Sequence, residues 1–175
     1  MRMPHGTNRP AAWTVMLLCV APVAHAQQAP WARPEIPISG HDRVYAANQT
    51  SNTVSVIDPS SNTLLGVIRL GDPVPAALSP LYAGQLLVHG LGYSPDGKTL
   101  AVVSIASNSV ALIDTATNKV MTIVYVGRSP HEAFFTPDGR ELWVAVRGEN
   151  YISVIDPVKG DEVRRITLAN GPGMC

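Results

Sequence analysis

Residues 43–71, RVYAANQTSNTVSVIDPSSNTLLGVIRLG, decide the fold, because the chain repeats them. They return at 99–127 as TLAVVSIASNSVALIDTATNKVMTIVYVG and at 141–171 as ELWVAVRGENYISVIDPVKGDEVRRITLANG. Asn52, Asn108 and Asn150 superpose, as do the pairs Ile57-Asp58, Ile113-Asp114 and Ile155-Asp156. The second spacing is 42 residues and the first is 56, so the first copy carries an insertion, at about 72–87. The turn Ser94-Pro95-Asp96-Gly97 recurs as Thr136-Pro137-Asp138-Gly139, again 42 residues on. A period of roughly 40–45 residues built from short strands is the signature of propeller blades.

Alternation and turn chemistry place four strands in each unit. The first runs, 43–48, 100–105 and 142–146, are apolar and β-branched; the second, 53–57, 109–113 and 152–155, follow a polar turn. An Asp then opens the next turn, where its carboxylate can accept hydrogen bonds from the backbone ahead of it. A third strand covers 64–70, 120–126 and 163–168, and a fourth, 88–93 and 132–136, ends in the Pro-Asp-Gly turn. Four strands make one blade, so the expected fold is an all-β propeller with about three blades present. Three blades fall short of the roughly four to eight that close a ring. The expectation is therefore an incomplete ring, a fragment of a longer protein, with self-association through open blade edges as the alternative.

These motifs carry a resemblance. The chain resembles the YVTN family of β-propeller repeats, WD40-like in blade construction, through Asn52-Thr53-Val54-Ser55-Val56-Ile57-Asp58; the naming tetrad stands here as Tyr45-Ala46-Ala47-Asn48. The likeness runs from Arg43 to the C-terminus. It implies a fold and not an activity, since similar repeats occur in surface-layer proteins, periplasmic binding proteins and propellers that accompany redox enzymes.

Residues 1–26 read as a signal peptide. Arg2 and Arg9 precede an apolar run from Ala11 to Val23, and Ala24-His25-Ala26 offers a small-x-small cleavage site. The run is too short to span a bilayer. Export to the periplasm or beyond follows. Cleavage removes Cys19 and leaves Cys175, so the fold is not stapled by an internal disulfide. Residues 27–42, with three prolines, form an extended lead-in, and the propeller occupies 43–175. Acidic and basic residues balance at 13 each, which provides no field to draw nucleic acid. Nothing in the chain reads as membrane-spanning.

No motif for nucleophilic, phosphate-binding, zinc-protease or haem-attachment chemistry occurs, so no catalytic residue is assigned and the reading is non-enzymatic. His89 and His131 are 42 residues apart, at one repeat position just before the innermost strand, where neighbouring blades meet around the central channel. Neutral imidazoles there are candidate ligands for copper, zinc or iron. A structural or turn-capping role is the competing reading, and Gly173 at the same position in the third repeat interrupts the series. Gly90 follows His89 where Glu132 follows His131, so the His-Glu pair is not repeated. Trp143 reads as packing between blades.

The function expected is an exported binding or scaffolding module, taking a protein or small molecule at the propeller face beside His89, His131 and the inserted loop. No cofactor is demanded by the residues. The alternative, implied by the resemblance, is a metal- or haem-associated redox propeller, or an accessory to a periplasmic quinoprotein dehydrogenase. A surface-layer adhesive is a third reading.

Overall fold

The computed structural model describes residues 40–71 and 86–173, which contain eleven antiparallel strands and no helix. They form three sheets. The first is β1 (Val44–Asn48), β2 (Thr53–Asp58) and β3 (Thr63–Arg69). The second is β4 (Val88–Tyr93), β5 (Thr99–Ser104), β6 (Ser109–Asp114) and β7 (Lys119–Tyr125). The third is β8 (Pro130–Phe135), β9 (Leu142–Val146), β10 (Tyr151–Asp156) and β11 (Asp161–Thr167). This is β-propeller architecture, and the described residues do not close a ring.

The sheets are out of phase with the sequence repeat. Each repeat's fourth strand does not finish its own sheet; β4 and β8 become the inner strands of the sheets that follow. A unit starting at 99 or 141 therefore straddles two sheets, and the first sheet has three strands among the described residues. The leader at 1–26 and most of the lead-in and of the 72–87 insertion lie outside the described residues.

Turn chemistry explains where strands stop. Asp58 accepts the Ser60 amide at 2.8 Å, Asp114 the Thr117 amide at 2.7 Å, and Asp156 the Val158 and Lys159 amides at 3.0 Å. Asp96 and Asp138 accept the Lys98 and Arg140 amides at 3.1 Å across the Pro-Asp-Gly turns. These hydrogen bonds hold all five carboxyls below their ordinary range. The recurrent aspartates thus serve turn formation.

Strand alternation gives every sheet two apolar faces. The first sheet sets Val54, Val56 and Ile68 against Leu100, Val102 and Ile113 of the second. The second turns its other face, Ala101, Val103, Val110 and Leu112, to Leu142, Val144 and Ile155 of the third. Leu100, Leu112, Ile113, Leu142 and Ile155 are fully buried or nearly so, each contributing about 1.5–3 kcal/mol by transfer out of water. Stability lies in these two face-to-face junctions.

Candidate functional site

The inner strands β4 and β8 lie side by side, and each carries a histidine as its second residue: His89 and His131. They stand within the strands rather than just before them. Both fall in a matched irregularity. Val88 pairs with Ser104 but Leu91 with Val102, and Pro130 pairs with Val146 but Ala133 with Val144. Each inner strand thus holds one extra residue, a β-bulge at His89-Gly90 and at His131-Glu132. Bulges re-aim side chains and are enriched beside functional sites. The residue two before each histidine adopts a left-handed backbone, Leu87 at φ 52° and Ser129 at φ 51°. For a leucine that conformation is strained.

Gly90 and Gly92 let the two strands approach. A Cβ at Gly90 would collide with the His131 carbonyl oxygen, and one at Gly92 with that of Ala133. With this clearance the imidazoles meet: His89 Nε2 lies 2.9 Å from His131 Nε2, with ring centroids 4.3 Å apart and planes at 68°. His131 is 5% exposed and His89 is half-buried. Glu132 Oε1 lies 3.2 Å from His131 Nδ1, yet that buried nitrogen has no hydrogen-bond partner, so the approach is oblique. Burial pushes the His131 pKa down, and the nearby His89 and Arg147 push the same way against Glu132. The neutral imidazole, the form that ligates metals, is favoured.

This donor set fits a single ion. With metal–nitrogen bonds of about 2.0–2.1 Å, two neighbouring ligands stand roughly 3 Å apart, close to the distance seen here. One ligand atom from each of His89, His131 and Glu132 can be chosen so that all three lie within 4.8 Å of one another. A carboxylate at Nδ1 would serve as the outer partner that fixes a ligating ring's tautomer. The two histidines do not fit the paired axial positions of one haem, which stand on opposite sides of the iron about 4 Å apart, twice such a bond. Among copper, zinc and iron, a His-His-carboxylate set does not discriminate strongly. Read without a metal, the contact is a hydrogen bond between two neutral rings, one donating and one accepting.

Other expectations land elsewhere. His41 is exposed and outside this cluster, and Gly173, the third-repeat counterpart of the histidines, is exposed too. Trp143 packs between no two described sheets. It lines an apolar groove of about 460 Å³ on the far face of the third sheet, with Phe134, Ala145 and Ile152. Glu132 was discounted by sequence because Gly90 replaces it one blade earlier; one carboxylate suffices once both histidines share a site. The glycine at 90 was itself the available signal, marking a close backbone approach.

No protein-family description matches the chain, and no curated protein does. Solved structures do. Hydrazine synthase of Kuenenia stuttgartiensis matches 74% of this chain at 26% identity with a TM-score of 0.62. Sqt1 of Saccharomyces cerevisiae matches 74% at 14% identity and 0.60, and dihydro-heme d1 dehydrogenase NirN, in complex with DHE, matches 77% at 20% identity and 0.56. The chain spans about a third of hydrazine synthase and of Sqt1, and about a quarter of NirN (34%, 32% and 26%). With 812 matching chains, the likeness defines a β-propeller and leaves its use open.

Proposed function

We propose that this chain is part of an exported β-propeller of YVTN-type repeats that binds a transition-metal ion at its channel mouth, through His89 and His131. The observation carrying this is the 2.9 Å approach of two Nε2 atoms presented by matched bulges on adjacent blades. The propeller acts as a non-enzymatic binding module, and its ion places it with metal-associated redox propellers. The likeness to hydrazine synthase sits with that reading. His89 and His131 would supply the ion's nitrogen ligands, and Glu132 would orient His131. The ion itself would supply Lewis acidity or, for copper or iron, electron exchange. The leader at residues 1–26 supports a periplasmic or secreted location. No helix among the described residues is long and apolar enough to cross a membrane.

The second reading is a metal-free binding or scaffolding module, favoured if the His89–His131 contact is a plain hydrogen bond. Titrating the mature protein with Cu(II), Zn(II) and Fe(II) by calorimetry separates the two. One ion per chain is expected for at least one metal. That binding should vanish in the His89→Ala/His131→Ala double variant and weaken about 10–100-fold in Glu132→Gln, with circular dichroism unchanged. Equal binding by the double variant, or no stoichiometric binding, leaves the scaffolding reading.

A further inference from the structure

The repeat supplies a register for comparing blade faces. The positions that the second sheet turns to the third are Ala101, Val103, Val110 and Leu112. Their third-sheet counterparts are Trp143, Ala145, Ile152 and Val154, and it is here that the apolar groove opens, with Trp143 36% and Phe134 50% exposed. On the other side, the third sheet meets the second with Leu142, Val144, Ser153 and Ile155, all 0% exposed. Their first-sheet counterparts are Val44, Ala46, Ser55 and Ile57; Val44 is 45% exposed and the others are only partly buried. One chain thus carries both halves of an unused blade junction.

The halves match in size. At the formed junction small Ala101 faces large Leu142 and Val144; at the unused one large Trp143 would face the smaller Val44 and Ala46. Such compensation preserves packed volume. Arg164 crosses the rim of the groove beside Trp143, 5.9 Å from its ring, already paired with Glu141 at 2.7 Å. The junction would therefore bury no lone charge there.

An independent feature points the same way. Gly171 takes a left-handed backbone, φ 69°, in register with Leu87 and Ser129, which precede β4 and β8. The chain leaving β11 is therefore set as it is before every inner strand. The first sheet is the one without such a strand, its β1 edge bonded to no further strand among the described residues.

We propose that two copies of this chain join head to tail, the Trp143 face of each taking the Val44 face of the other, to close a six-bladed ring. Rings hold roughly four to eight blades, and two is the only number of three-blade copies that falls in this range. The symmetry is a twofold axis along the channel.

Analytical ultracentrifugation of the mature protein tests this with two surface variants, Trp143→Asp and Val44→Asp. The wild type is expected at twice the chain mass, and each variant at the chain mass, with association weakened at least about 100-fold. An equimolar mixture of the two variants should re-form a dimer, because one intact face of each kind remains. A monomeric wild type would overturn the proposal. So would a dimer that survives Val44→Asp alone, since that contact would be Trp143 face to Trp143 face. A mixture that stays monomeric, or a natural protein whose own longer chain covers the groove, would overturn it as well.

Discussion

At the scale of single residues, Gly90 does more than the histidines reveal. Its missing Cβ is what allows the His131 backbone to sit against β4, and so what brings the imidazoles together. Gly90→Ala should destabilise the protein by about 1–3 kcal/mol, the cost of forcing atoms into a packed site. It should also weaken metal binding while leaving both histidines in place. Urea denaturation and a metal titration of the same sample check both, and unchanged values in the two would contradict the role assigned to Gly90. The pairing of His89 with His131 was legible from their 42-residue spacing. Their contact was not, because spacing fixes the blade position and says nothing of how far a bulge turns a ring. Glu132 was hidden for a related reason: a site shared between two blades needs its carboxylate only once.

At the scale of elements, the strands were readable because alternation and Asp turns recur in register, from Thr53–Asp58 to Tyr151–Asp156. Which strands share a sheet was not readable. The Pro-Asp-Gly turn looks like the end of a unit, yet it joins β4 to β5 as an ordinary hairpin within a sheet. The turns themselves predict an acid sensitivity. Asp58, Asp96, Asp114, Asp138 and Asp156 have folded-state pKa values lowered by hydrogen bonds, so the folded state binds fewer protons than the unfolded one there. Their contribution is present above the model carboxyl value of 3.8 and is lost as pH falls below it through the lowered values. Melting followed by circular dichroism should show a Tm nearly level from neutral pH to about 5, then falling steeply below about 4. Asp114→Asn, which keeps an acceptor oxygen, should flatten part of that fall; an unchanged slope would assign the acid loss elsewhere.

At the scale of the whole molecule, two apolar faces bracket a row of three sheets, and their joining ties stability to concentration. A folded state that exists as a dimer is favoured by mass action. The Tm should therefore rise by several degrees over a hundredfold increase in protein, given about 2–4 °C per kcal/mol for a domain of 150–250 residues. Differential scanning calorimetry at two concentrations measures it, and a Tm independent of concentration would mean that the faces stay apart on melting. The half-step offset between repeat and sheet has a further consequence, for inheritance. Because a unit begins inside one sheet and finishes inside the next, removing residues 99–140 would splice the hairpin after β4 directly onto β9. The result would be a complete four-stranded sheet with its bulge, turn and faces in register. Gain or loss of one unit by recombination then changes circumference without ever leaving a half-built layer, and ring size can drift while the rim that presents His89 and its successors keeps its form.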